Sequence, residues 1–297
     1  MGLSINQNIA AVNSYRNLSN TQNDLAKSLE KLSSGFRINR AADDAAGLAI
    51  SEGLRSQVGG LKVAARNAQD GISVVQTAEG ALTEVHSILQ RVRDLAVQGA
   101  NDSNNSEARA NIKTESDSLI SELDRIAKST NFNGTTLLNK TGAAAELKFQ
   151  VGADGDANSA ITVDLESANV AAVATTLSAA FTGATRDGDG VVTAVGTGVD
   201  FTTHQNAQDS IALIDTQISD VSTARAELGA YQNRFEHTIK NINVAVENLS
   251  ASESRIRDTD MASEMVSFTR AQILSQAGTA MLAQANQIPQ GVLSLLR

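Results

Sequence analysis

The sequence predicts a mainly α fold: an elongated hairpin of long helices, with a coiled-coil-like terminal pair joined to a helical bundle that carries a small β-hairpin. Three observations predict it. The 297 residues hold one proline, no cysteine, no tryptophan and 3% aromatic residues, so a core must be built from Leu, Ile, Val and Ala on regular elements. Apolar residues recur at helical spacing in long stripes in both halves of the chain. Between those stripes lies one stretch where the period drops to two.

From Leu3 to Leu32, Ile5, Ile9, Val12, Tyr15, Leu18, Leu25, Leu29 and Leu32 advance by threes, fours and their sum, which predicts a near-heptad helix. The stretch LSSGFRINRAADDAAGLAIS, Leu32 to Ser51, interrupts it. Beyond this joint, Ala68, Ile72, Val75, Ala78, Leu82, Val85, Leu89, Val92 and Leu95 predict a second helix ending near Gly99. The polar cluster Asn101 to Ser106 supplies a turn and the next cap. Ala108, Ile112, Leu119, Leu123 and Ile126 mark a third helix, which stops before Asn131-Phe132-Asn133-Gly134. Leu147, Phe149 and Val151, then Ile161, Val163 and Leu165, alternate with polar residues as paired strands require. Val170 to Thr203 is rich in Ala, Thr and Gly with no sustained period and is expected as a surface insertion. Helical spacing returns over Ile211 to Leu249 and again after Asp258, in Met261, Met265, Phe268, Leu274, Ala277, Met281, Ala285 and Ile288. Pro289 is expected to close that last helix.

The order of elements in the two halves is mirrored, which brings the chain ends side by side. Two helices bury one seam between them, so the outer faces of such a pair stay apolar and exposed until another copy covers them. Copies stacked head to tail generate a helical filament unless the ring closes. The charge distribution fits that picture. The net charge is −9, yet residues 1–40 carry five basic residues against Asp24 and Glu30, and residues 257–297 balance three arginines with three acids. Near-neutral ends suit packing and an acidic middle suits water.

Several chemistries are excluded or disfavoured. The acidic balance argues against a nucleic-acid partner. No apolar run approaches the roughly 18 residues that span a membrane, so no membrane insertion is expected. Without thiols there is no disulfide framework and no cysteine nucleophile. The start of the chain lacks a secretory leader, which by itself would place the protein in the cytosol. His86, His204 and His237 are scattered, and adjacent Asp43 and Asp44 suit a helix start better than a catalytic pair. Asp154, Asp156 and Asn158 begin like a calcium loop, but Ser159 and Leu165 stand where glycine and glutamate are needed, so a hairpin turn is expected. No catalytic residue, metal or cofactor is assigned.

The segments INQNIAAVNSYRNL, LSSGFRINRAADDAAGLAIS, LQRVRDLAVQGAND, NFNGTTLL, LGAYQNRFEHTI and ESRIRDTDMASEM closely resemble bacterial flagellin, the subunit of the flagellar filament. The resemblance covers the first 140 and the last 90 residues. It implies a terminal helical domain forming the filament core (1–42 with 257–297), a helical domain with a β-hairpin (43–168 with 204–256), and a short variable surface insertion (169–203) in place of large outer domains. It implies an extracellular, homopolymeric structural protein, exported unfolded through the flagellar type III apparatus without a cleaved signal. An export chaperone, filament cap and hook-junction proteins are its implied partners. The assembly residues are then Ile5, Ile9, Val12, Leu18, Leu25, Leu29, Leu32, Met265, Phe268, Leu274, Met281 and Leu295. The joint is expected to use Gly35 as a left-handed helix end, Asp43 and Asp44 at the next helix start, and Arg37 and Arg40 paired with carboxylates locally or on a neighbouring subunit. Arg91, Leu95 and Glu115 match positions where family members are bound by the Toll-like receptor that senses flagellin. The family's metallopeptidase insertion has no counterpart here, and the Thr- and Ser-bearing insertion could carry O-linked sugars. A hook-filament junction protein and a soluble coiled-coil adaptor are the alternatives.

Overall fold

A computed structural model describes residues 8–186 and 192–295. The fold is mainly α: α1 (Ile9–Ser34), α2 (Ala45–Gly99), α3 (Ser106–Ser129), α4 (Val170–Ser178), α5 (His204–Arg257) and α6 (Met261–Leu295). Three two-stranded antiparallel ladders accompany them, β1 (Asn131–Phe132) with β2 (Thr135–Thr136), β3 (Glu146–Gln150) with β4 (Ala160–Asp164), and β5 (Thr185–Arg186) with β6 (Val192–Ala194). The chain divides into two compact units, Met1–Val58 with Val246–Arg297, and Gly59–Ala245. The two longest helices, α2 and α5, run through both.

The second unit holds the core. Leu82, Leu89 and Leu95 of α2, Leu123 of α3, and Ile214 and Phe235 of α5 are all but fully buried, as their 3–4 spacing requires. Phe235 meets Phe149 of β3 edge to face at 5.5 Å, and a side chain at Gly71 would come within 2.8 Å of its ring, so α2 needs glycine there for the aromatic to lie flat against it. The β3–β4 register sets Leu147 opposite Val163 and Phe149 opposite Ile161, the alternating residues read from the sequence. Asn133 and Gly134, with φ of 49° and 78°, form the two-residue turn between β1 and β2, the left-handed pair that such hairpins favour.

The two ends of the segment 169–203, expected on the surface, are built into this core, while none of its described residues from Ser178 to Thr197 is buried. Asn169 caps α4 by accepting from the Ala172 amide, and Val170, Val173, Ala174 and Leu177 are buried, as are Val199 and Phe201 on the return. Their side chains supply apolar area that so short and aperiodic a stretch does not advertise. Residues 187–191 lie outside the described set.

Several buried polar atoms in this unit have no hydrogen-bond partner, among them the hydroxyl of Ser116 of α3, a residue that is fully buried. Removing a lone buried hydroxyl costs no bond and relieves its desolvation. Ser116→Ala is expected to stabilise the unit by about 1 kcal/mol and raise Tm by about 2–4 °C. Thermal denaturation checks this, and a lowered Tm would contradict it.

The first unit is an antiparallel pair, α1 on α6, with the start of α2 and the end of α5. From Ala11 to Ser28 the least exposed positions of α1 are Ala11, Ser14, Leu18, Thr21, Leu25 and Ser28, and from Glu264 to Ala285 those of α6 are Glu264, Phe268, Ala271, Ser275, Gly278, Leu282 and Ala285. Both series step by threes and fours, the coiled-coil period. The seam is made largely of small residues, and a side chain at Gly278 would come within 3.1 Å of Leu18 Cδ1.

Pro289 does not close α6, which runs on to Leu295. A proline inside a helix removes one amide and so deprives the carbonyl four residues back of its donor. Here that carbonyl is Ala285, and the Asn8 side chain donates to it through Nδ2 at 2.7 Å.

Candidate assembly surface

The two units bury side chains very differently. Of the twelve largest side chains that are fully buried among the described residues, eleven belong to Gly59–Ala245 and one, Ile38, to the terminal unit. Of the sixteen large hydrophobic side chains left exposed among the described residues, twelve belong to the terminal unit. That unit is therefore apolar outside and small-residue inside, the reverse of a self-sufficient fold.

The assembly residues sort accordingly. Leu18 is buried in the seam, with Leu25, Leu32 and Phe268 half-buried. Ile9, Val12 and Leu29 of α1, and Met265, Leu274 and Met281 of α6, are exposed. Ile5 and the Leu295 side chain lie outside the described set. The structure adds Tyr15, Val266 and Ile273, exposed by 66%, 61% and 61%. Met265, Val266, Thr269, Arg270, Ile273 and Leu274 line one shallow apolar groove on α6. Their signal in the sequence is the adjacent apolar pairs Met265-Val266 and Ile273-Leu274. Neighbouring helical residues point about 100° apart, so such pairs widen the apolar arc beyond what one seam covers.

The joint is a clasp within the terminal unit. Gly35 ends α1 with φ 76°, its amide donating to the Lys31 carbonyl at 2.8 Å. Asp44 caps α2 by accepting from the Gly47 amide at 2.9 Å. Asp43 instead closes the preceding turn, accepting from the Arg40 amide at 2.9 Å and the Asn39 amide at 3.1 Å. Arg40 pairs with Glu30 at 2.9 Å. Within the chain Arg37 meets no carboxylate of the joint but donates to the Ile256 carbonyl at 2.7 Å, one of the orphan carbonyls at the end of α5. Its own amide donates to the Arg257 carbonyl, and the Thr259 amide to that of Gly35. Arg257 lies 4.7 Å over the Phe36 ring and reaches Glu52 at 2.8 Å. Phe36, Glu52 and Arg257 went unread because their partnership spans some 200 residues.

The Arg40 and Asn39 amides hold the Asp43 carboxyl below its ordinary range. A depressed folded pKa contributes stability above the unfolded pKa that is lost as pH falls through the folded one. The protection of the Asn39 and Arg40 amides, their exchange rate relative to the intrinsic rate at each pH, is expected to fall on acidification through that window in the native protein and not in Asp43→Asn. Equal pH dependence in both would contradict this.

Arg91 of α2 and Glu115 of α3 form a two-donor ion pair, 2.6 and 3.0 Å, with both side chains about half exposed. Leu95 does not join them at the surface. It is 1% exposed, on the buried stripe with Leu89 and Val92, so a partner of the folded unit cannot touch it.

Among the described residues no three His, Cys, Asp or Glu side chains could hold a metal, and no helix is long and apolar enough to cross a membrane. What the geometry offers is a pair of terminal helices with exposed apolar faces in one unit, and a large buried core in the other. These features define a structural subunit of a helical assembly. A model of the bacterial flagellin N-terminal helical region matches residues 5–143, and one of the C-terminal helical region matches residues 211–296. The flagellin of Halalkalibacterium halodurans is 52% identical over 293 residues, 99% of each chain. The flagellar filament 33 kDa core protein of Treponema phagedenis is 46% identical over 301 residues, again 99% of each chain. Among solved structures, Bacillus cereus flagellin is similar at 29% identity over 60% of this chain and 88% of its own, with a TM-score of 0.44. The chain belongs to the bacterial flagellin family, a family of structural proteins that form the extracellular filament rather than of enzymes.

Proposed function

We propose that this chain builds the propeller of swimming motility, polymerising through the outward faces of α1 and α6 into a filament that transmits motor rotation passively. The observation that carries the reading is the inverted terminal unit, which among the described residues exposes twelve large hydrophobics, ten of them on the α1 and α6 helices that share the small-residue seam. Burying one such side chain is worth about 1.5–3 kcal/mol, so covering a dozen yields tens of kcal/mol before the cost of ordering is subtracted. The subunit is exported unfolded through the type III apparatus with a chaperone's help, and adds at the filament end between cap and hook-junction proteins. Residues 1–42 with 257–297 form the filament core, 43–168 with 204–256 the surrounding helical domain, and 169–203 a short variable segment. The joint from Gly35 to Asp44 connects the first two. Sedimentation of dilute protein with and without sheared filament seeds tests polymerisation. Growth from seeds above a sharp critical concentration is the expected result; soluble protein at all concentrations would favour an adaptor, and short stubs a junction protein.

The monomer is also recognised by the innate immune receptor for flagellin through the exposed Arg91–Glu115 pair. Arg91→Ala is expected to weaken receptor signalling by monomer at least tenfold, since a charge-assisted bidentate contact is worth about 1.5–3 kcal/mol. An unchanged dose response would remove this role.

A further inference from the structure

The seam between α1 and α6 is a weak fastener. Its α1 side repeats Leu18 and Leu25 among Ala11, Ser14, Thr21 and Ser28, and its α6 side offers Ala271, Ser275 and Gly278 at the centre. Small residues bury little area, so packing alone holds the pair loosely. The clasp from Phe36 to Thr259 secures one end, and Lys31 and Glu264 add a 3.9 Å ion pair beside it. The other end lies about 39 Å away along α1 at 1.5 Å per residue. There, Asn8 makes two bonds with one amide group: Oδ1 accepts from the Ala11 amide at 3.0 Å, capping α1, and Nδ2 donates to the Ala285 carbonyl at 2.7 Å. That carbonyl is the one whose helical donor Pro289 removes.

We propose that Asn8, Ala285 and Pro289 form a lock that fastens the distal ends of the terminal helices, with Asn8 as its positioning residue. Pro289 is placed four residues after Ala285 so that one carbonyl in the middle of a helix is left for a side chain of the other helix. Asparagine is needed at position 8 because it both caps and donates. Asp and Ser cap a helix as well, but Asp has no donor for the carbonyl. A polar pair at a single seam position fixes alignment in coiled coils where apolar residues do not. Here it sets which faces of α1 and α6 turn outward together. The proposal rests on the filament reading, and the test separates the two.

Asn8→Asp keeps the cap and sets a carboxylate against the Ala285 carbonyl. Pro289→Ala returns an amide to that carbonyl and makes the lock redundant. Critical concentration is measured for wild type, each single variant and the double variant, all from wild-type seeds. Asn8→Asp is expected to raise it about fivefold in the native background and less than twofold in the Pro289→Ala background. In parallel, the rate of disulfide closure between Ala11→Cys and Leu282→Cys, added to each of the four proteins in a chain free of other cysteines, reports the distal seam directly. It is expected to fall about fivefold on Asn8→Asp only when Pro289 is present. Failure of wild type to grow from seeds would sink the filament reading, with the closure rates still deciding the lock. An Asn8→Asp effect absent, or equal in both backgrounds, overturns the lock.

Discussion

Ile273→Asp is expected to abolish seeded growth while leaving the helical core of residues 59–245 intact. Ile273 is 61% exposed, in the α6 groove with Met265, Val266 and Leu274, and belongs to the terminal unit rather than to residues 59–245. In the isolated chain a charge there meets water and changes stability by less than about 0.5 kcal/mol. In a filament that covers this face, the carboxylate would be buried without a partner, at several kcal/mol per subunit on top of about 2 kcal/mol of lost apolar burial. Each 1.4 kcal/mol is tenfold in critical concentration, so the rise is at least a thousandfold. Sedimentation with wild-type seeds and a thermal melt of the monomer check the two halves of the prediction. Growth at near-native concentrations would mean that this face stays wet.

Phe235→Ala acts on the other unit. Phe235 is fully buried between Phe149, edge-on at 5.5 Å, and the Gly71 backbone of α2. Truncation removes a large apolar volume from the place where helix and hairpin meet, at a cost of about 3–5 kcal/mol and about 10 °C in Tm. Gly71→Ala approaches the same contact from the opposite side, because its methyl would lie 2.8 Å from Phe235 Cζ. The two changes share one space and are expected to be non-additive: Gly71→Ala destabilises the native protein and has little further effect in Phe235→Ala. Additive losses in chemical denaturation would show that the hairpin does not hold this ring against α2.

These two sites were legible to different degrees. The β3–β4 hairpin could be read because Leu147, Phe149, Ile161 and Val163 alternate with polar residues, a period that survives whatever packs on it. α4 is missed although Val170, Val173, Ala174 and Leu177 recur at helical spacing, because that period lasts only two turns within a run of small residues. The terminal seam was the hardest. Hydropathy picks out Ile9, Val12 and Tyr15, whereas the residues that meet α6 are Ala11, Ser14, Leu18, Thr21, Leu25 and Ser28, most of them too small to register as apolar. A stripe search finds Leu18 and Leu25 of the seam together with the outward Ile9, Val12 and Tyr15, but overlooks Ala11, Ser14, Thr21 and Ser28. Leu95 shows the converse, since its place on the Leu89–Val92 stripe marks it as core whatever a neighbouring exposed pair does. Pro289 reads as a helix end from propensity alone; only the Asn8 contact shows why α6 tolerates it.

The central claim is that the terminal unit completes its burial in the filament. The most direct test is an electron cryomicroscopy reconstruction of filaments grown from this chain alone. The account predicts a core of paired α1 and α6 helices, with Ile9, Val12, Met265, Ile273 and Met281 packed against neighbouring subunits. Filaments held together by residues 59–245 while these side chains remain in solvent would contradict it.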